Sequence, residues 1–227
     1  MSTKKVDEIK SLSIARIGVF AALYAVTSLV PISMFIGASS FLALNLVITP
    51  SIAILLSPME AFWASTIGAI ISLYIAPFQA MFGPFTVLLP VVGSTFGSLS
   101  YHKPRNGIIV LFYLIAVVFL YLVARPEFPY WIIPHIIAAI FVGGLSFVNP
   151  PIQRMRIPIY TFISTICEQA TMLVCAVYIL SLPWVVFATA FPLMLYERFI
   201  GTIGGTIIAY SLLCAMPKYF ASHNSNG

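Results

Sequence analysis

Between Ile14 and Met216 the chain alternates about eight long apolar runs with short polar interruptions, and those interruptions hold most of its charge. The runs read approximately as 13–31, 41–57, 59–76, 83–101, 107–124, 130–148, 158–181 and 187–216. A helix needs roughly 20 residues to cross about 30 Å of hydrocarbon. The pattern therefore predicts an all-α integral membrane bundle of eight crossings, or six should two runs prove re-entrant or peripheral. Pro31, Pro58, Pro77, Pro104, Pro126, Pro150, Pro158 and Pro183 lie at or near run edges, where proline starts or ends a helix at little cost. Pro77, Gly83 and Pro84 make 77–84 a candidate re-entrant turn, and Pro90 predicts a short, tilted or broken helix in 83–101.

Composition sharpens this picture. Hydrophobic residues make up 61% of the 227 and charged ones only 7%, a balance that a water-exposed surface does not tolerate. The expected organisation is a basic cytoplasmic arm over 1–12, one polytopic membrane domain over 13–217 and a polar tail over 218–227, leaving no room for a soluble catalytic domain. The run from Ile14 to Pro31 is longer than a usual signal-peptide core, so it is expected to be retained.

Charge placement gives orientation. With the N-terminus inside, the inner side receives Lys4, Lys5, Lys10, Arg16, Lys103, Arg105, Arg154, Arg156 and Lys218, nine of the eleven Lys and Arg. The outer side receives Arg125, and Arg198 falls within the last run. That bias predicts both termini in the cytoplasm of a multi-pass plasma-membrane protein. Arg16, at the inner membrane edge, is expected to snorkel. Cys167, Cys175 and Cys214 all lie in apolar runs; the first two are eight residues apart on one helix, roughly 12 Å and too far for a disulfide.

Small residues recur at helical spacing on several runs: Gly18, Ala21, Ala25 and Ser28 on the first, Ala61, Ser65, Gly68, Ser72 and Ala76 on the third. Gly93–Gly97 and Gly201–Gly205 add two GxxxG pairs. Such faces let helix backbones approach closely in lipid. Most are expected to serve internal packing, and the first-run face to dock another protein.

Ionisable and amide groups at membrane depth are expensive, which makes each a functional candidate. Glu168 is expected near the midplane, with Thr161, Ser164, Thr165, Thr171 and Cys175 on its side of the helix and Gln169 adjacent. Glu197 and Arg198 lie in the outer part of the last run, His135 about one turn inside the outer end of the sixth, and Asn45 and Gln79 in the outer half. Each is a candidate substrate contact; the alternatives are a protonated structural Glu168, structural ion pairing of Glu197 and Arg198, and an interfacial position for His135. Any cavity they form is placed in the outer half. The chain lacks a P-loop and the zinc-protease and nucleophile-elbow motifs, and no Cys/His cluster suggests a metal, so neither a metal nor a cofactor is expected.

Three stretches resemble the substrate-binding (S) components of energy-coupling-factor (ECF) transporters. They are Ala15-Arg-Ile-Gly-Val-Phe-Ala21-Ala22-Leu-Tyr-Ala25 after a basic arm, Leu56-Ser-Pro58-Met-Glu-Ala61 followed by Gly68, and Pro192-Leu-Met-Leu-Tyr-Glu197-Arg198 with its glycine-rich continuation. The resemblance covers about two-thirds of the chain and implies a subunit, not itself an enzyme, that captures a vitamin, precursor or similar micronutrient from outside. Its implied partners are a membrane T component and two cytosolic ATPases. Ala21 and Ala25 would contact the T component, with Gly18 and Ala22 beside them, and the loop Ile32 to Ser40 would cap the substrate. Uptake would proceed by toppling of the subunit in the bilayer. Family members commonly have six helices, so either the extra pair is 107–124 and 130–148, or 83–101 is not a full crossing. Three other classes remain open: an autonomous proton-coupled small-solute transporter using Glu168, a membrane-embedded enzyme, and a structural or assembly subunit.

Overall fold

The computed structural model describes residues 3–34, 41–147 and 153–220. Eight helices of ten residues or more follow in chain order: α1 (Thr3–Thr27), α2 (Asn45–Leu55), α3 (Pro58–Ile75), α4 (Leu88–His102), α5 (Gly107–Ala124), α6 (Ile133–Phe147), α7 (Gln153–Val174) and α8 (Trp184–Ala215). Each predicted run overlaps one of them. Five stretches, Pro58–Ile75, Pro104–Ala124, Pro129–Phe147, Arg156–Ile179 and Trp184–Ala215, are long and apolar enough to cross a membrane. The second run is the clearest shortfall, because α2 has 11 residues and a length of roughly 16 Å.

Several boundaries differ from those expected, each for a local reason. Residues 3–12 are helical and continuous with the rest of α1. Pro90 does not break α4, because it falls in the helix's first turn, where its missing N–H has no intrahelical partner to lose. Pro50, Pro158 and Pro192 instead sit inside α2, α7 and α8. The 77–84 stretch forms two short 3₁₀ turns, Pro77–Gln79 and Gly83–Val87, and Gly83 supplies the left-handed backbone (φ +56°) between them. Strands β1 (Pro31–Met34) and β2 (Phe41–Ala43) pair antiparallel beside this cap. Of the loop expected to cap the substrate, residues 35–40 lie outside the described residues.

Burial divides the bundle into one enclosed helix and a shell. In the α7 span 72% of residues are buried, against 22–39% in the other four long stretches. α7 packs on α2, α4, α5, α6 and α8. The shell turns large apolar side chains outward, Phe112, Phe119, Ile140 and Phe199 among them, each about two-thirds exposed. An apolar exterior of this extent suits acyl chains and not water.

Glycine faces set the closest approaches. A Cβ on Gly93 would lie 2.8 Å from the Glu168 Cβ, and one on Gly97 would lie 2.6 Å from the Ser164 Cβ, so α4 presses directly on α7. α8 uses Gly201, Gly204 and Gly205 in the same way against Leu46, Val47 and Pro50 of α2. Both GxxxG pairs therefore serve internal packing. Leucine at Gly97 should overpack this seam and cost about 1–3 kcal/mol. In thermal unfolding of the purified, lipid-reconstituted chain, Gly97→Leu should melt below wild type, whereas Gly18→Leu, with nothing within 4 Å of its Cβ position, should match it.

Candidate functional site

The polar side chains of α7 determine where a site can form. Thr161, Ser164, Thr165, Glu168, Gln169 and Thr171 are all buried, which is the outcome their stripe requires inside lipid. α7 starts at Gln153, so Glu168 lies roughly 22 Å along it, deeper than a start near 158 implied.

Glu168 lines a cavity of about 60 Å³ together with Tyr24 of α1, Asn45 of α2, Gln79 and Thr86 of the 3₁₀ cap, and Met172 of α7. Asn45 Nδ2 donates to Gln79 Oε1 at 2.9 Å, and Gln79 Nε2 donates to the Ser28 carbonyl at the end of α1. This amide chain ties the 77–79 turn over the ends of α1 and α2. Thr49 Oγ1 donates to the Asn45 carbonyl at 3.4 Å, and Tyr24 lines the cavity beside Asn45. Phe82 and Leu89 complete the apolar side of the lining.

The other candidates gather on a different side of α7, as the roughly 100° turn between adjacent positions dictates. Arg198 Nη1 donates to the Thr165 carbonyl at 3.1 Å and lies 3.9 Å from Glu168 Oε2, linking the two groups. His135 Nδ1 lies 3.2 Å from the Trp131 carbonyl, while its Nε2 has no hydrogen-bond partner. Both amide atoms of Gln169 are likewise unpartnered, and Glu197 is buried beside this cluster's Arg198 in sequence. Arg198 also reaches a groove of about 290 Å³ between α6, α7 and α8, walled by Phe162, Ile166, Leu195 and Phe199. Thus Asn45, Gln79 and Glu168 share one cavity; His135, Gln169, Glu197 and Arg198 do not line it.

Two expectations for α1 need correction. Ala21 and Ala25 are 3% and 4% exposed, packed in the seam with α3, where a Cβ on Gly68 would lie 2.9 Å from the Ala21 carbonyl. Their small side chains serve that internal approach, so only Gly18 and Ala22 of the set face outward. Arg16 does not snorkel. It is buried and its Nη2 donates to Glu60 Oε1 at 2.5 Å, with Nη1 donating to the Tyr219 carbonyl at 3.0 Å.

Glu60 was not singled out for this role from sequence, although Ser57-Pro-Met-Glu60 has the spacing of a capping box. Its Oε2 accepts from both the Ser57 N–H and hydroxyl, and its Oε1 also accepts from Ser13 at 2.6 Å. This network joins the first half of α1, the α2–α3 turn and the segment after α8 at one end of the bundle. The cavity cap, at the ends of α1 and α3, occupies the other. Tyr24, Thr86 and Phe82 were also missed, because nothing in their spacing marks a tyrosine, threonine or phenylalanine in an apolar run as cavity-facing. No family model, curated protein or solved structure matches the chain.

The Arg16–Glu60 pair is a scaffold element. Arg16→Met should cost about 3–5 kcal/mol by stranding the buried carboxylate. Arg16→Met combined with Glu60→Gln should melt above that single variant, as thermal denaturation of both proteins would register. Equal melting of Arg16→Met and wild type would deny the pair this role.

Proposed function

We propose that the chain is a substrate-capturing membrane subunit of an uptake transporter, similar to ECF S components, driven by ATP hydrolysis in partner proteins. The observation that carries this reading is the small cavity between Glu168, Asn45 and Gln79, beside short 3₁₀ turns at the end of the bundle away from Arg16 and Glu60. A few convergent polar groups in an apolar enclosure are the usual composition of a small-solute site. The proposed topology has eight crossings with both termini cytoplasmic, which puts the cavity in the outer half of the bilayer. The basic residues and the clustering of Ser13, Arg16, Glu60 and Tyr219 at one end support that orientation. The proposed partners are a membrane T component and two cytosolic ATPases, with the outward Gly18 and Ala22 available to helix docking. The cargo is a vitamin, a precursor or a micronutrient of similar size, admitted when the cap moves.

A second reading, an autonomous proton-coupled transporter, draws support from a run of hydroxyls between α7 and α8 on the basic side of Glu168. Thr165 and Thr202 Oγ1 lie 3.3 Å apart and Thr161 and Thr206 Oγ1 2.8 Å apart, which this reading takes as a relay inward from Arg198. Reconstitution separates the two. The capture subunit should bind solute alone but accumulate it in vesicles only with its ATPase partners, whereas proton-driven accumulation by the chain alone establishes the second reading. Asn45→Ala and Gln79→Ala should each weaken solute binding about tenfold or more, a loss of about 1.4 kcal/mol or greater measured by calorimetry. Binding at wild-type strength in both would remove this cavity as the site.

Topology has its own test. With the native cysteines replaced by alanine, Arg125→Cys should react with an impermeant thiol reagent added outside intact cells and Arg154→Cys should not. Labelling of both from one side would overturn the eight-crossing assignment.

A further inference from the structure

Carboxylates are unevenly spread along the chain. Between Ala61 and Cys167 the sequence has one, Glu127, which lies just beyond the C-terminal end of α5. The same stretch holds Lys103, Arg105, Arg154 and Arg156, in the turn that precedes α5 and in the start of α7. Lys103 and Arg105 are exposed, and among the described residues neither is paired with a carboxylate. Arg156 Nη2 donates to the Tyr160 hydroxyl at 3.4 Å with the guanidinium over that ring, and it too has no carboxylate partner there. Arg16 and Arg198, by contrast, stand beside Glu60 and Glu168.

The fold gathers these cations at one end of a groove. The Tyr101 and Tyr160 rings meet edge to face at 5.5 Å, which sets the end of α4 beside the start of α7. Past that contact the two helices continue to the same end of the bundle, α4 to Lys103 and α7 back to Arg156, roughly 6 Å before Tyr160. The short 3₁₀ turn Pro104–Asn106, which carries Arg105, packs on α6. A Cβ on Gly107 would lie 2.6 Å from Ser146 Oγ, so the start of α5 also touches the end of α6. Further along these two helices lies a groove of about 400 Å³, walled only by Leu111, Ile115, Val118, Ile136, Ala139, Ile140 and Gly143. Leu111 follows Arg105 by six residues, roughly 9 Å along α5. A basic turn therefore stands at the mouth of a carbon-lined groove that runs into the hydrocarbon.

We propose that this face binds one anionic phospholipid, with the headgroup phosphate accepting from Lys103, Arg105 and Arg156 and an acyl chain in the groove between α5 and α6. Charge complementarity selects the head: cations with no carboxylate beside them attract a net negative group, whereas a zwitterionic head brings its own ammonium against them. The groove selects a lipid over an acidic protein segment or a free anion, neither of which has a hydrocarbon chain to place on aliphatic walls at membrane depth. Its 400 Å³ exceeds the roughly 150 Å³ that encloses a benzene, enough for a stretch of acyl chain. The inference goes beyond the capture reading and does not depend on it.

The test titrates phosphatidylglycerol or phosphatidylcholine of the same chain length into the full chain in a neutral detergent, reading the melting temperature. Phosphatidylglycerol should stabilise saturably, at a midpoint about tenfold or more below that of phosphatidylcholine. Lys103→Gln, Arg105→Gln and Arg156→Gln combined should remove that preference. Arg105→Gln alone, at an exposed position outside the core, should weaken it in the same direction. Lys4→Gln, Lys5→Gln and Lys10→Gln combined remove the same charge elsewhere and should leave it intact. Gly143→Phe, whose ring would fill the groove, should raise the midpoint. Equal response to the two lipids overturns the proposal, as does an equal loss of preference in the Lys4, Lys5 and Lys10 variant, the mark of general surface charge. Inorganic phosphate that stabilises as well as the lipid would make this a free-anion site and overturn it too. If neither lipid acts and a polyglutamate peptide stabilises instead, the face docks an acidic protein and the lipid falls. An unchanged midpoint in Gly143→Phe overturns the groove as the seat of the acyl chain.

Discussion

A bilayer offers a buried polar group no water, so every hydroxyl, amide and charge on these helices must find a partner inside the bundle or line a cavity. α7 bears the heaviest load of such groups, and the rest of the structure is arranged to enclose it. Five helices pack around it, and α4 closes in tightly enough that neither Gly93 nor Gly97 has room for a methyl group. The same closeness lets Ser164 donate to the Gly93 carbonyl at 2.9 Å and Tyr113 reach the Thr171 hydroxyl at 2.8 Å. Enclosure of α7 and satisfaction of its polar atoms are thus one requirement, met by small residues on the neighbouring helices.

The two ends of the bundle then meet different demands. Around Glu60 all available lone pairs are used: Ser13, Arg16 and Ser57 converge on one carboxylate and hold α1 against the α2–α3 turn. Around Glu168 they are not, and an unpartnered oxygen faces incomplete coordination beside a cavity. A saturated carboxylate is a rivet, whereas an unsaturated one lining a small, mostly apolar cavity has capacity for a ligand. This contrast, more than depth in the membrane, separates the structural glutamate from the candidate functional one.

Much of the architecture was legible in the residues. Apolar runs of helix length marked where helices fall, each run overlapping one, because lipid imposes length and apolarity on each segment independently of its neighbours. Segment ends were less legible where tertiary contacts supply the capping: α1 reaches back to Thr3, and α2 stops at 11 residues within a wall formed by α4, α7 and α8. Glu168, Asn45 and Gln79 were identifiable as expensive polar groups, but their shared cavity was not, since 34 residues separate the hydrogen-bonded amides. Ala21 and Ala25 illustrate the converse. A small-residue face signals close approach without saying to what, and here α3 occupies it.

The helical class and the inward facing of polar stripes were therefore determined by the sequence alone, because each follows from the cost of placing one residue type in hydrocarbon. Which polar groups meet, which small faces are already filled, and which carboxylate is left unsatisfied were decided only by tertiary structure. Those outcomes depend on the relative rotation of packed helices, and a shift of one position, about 100° around the axis, moves Glu168 from the cavity to where Gln169 now stands.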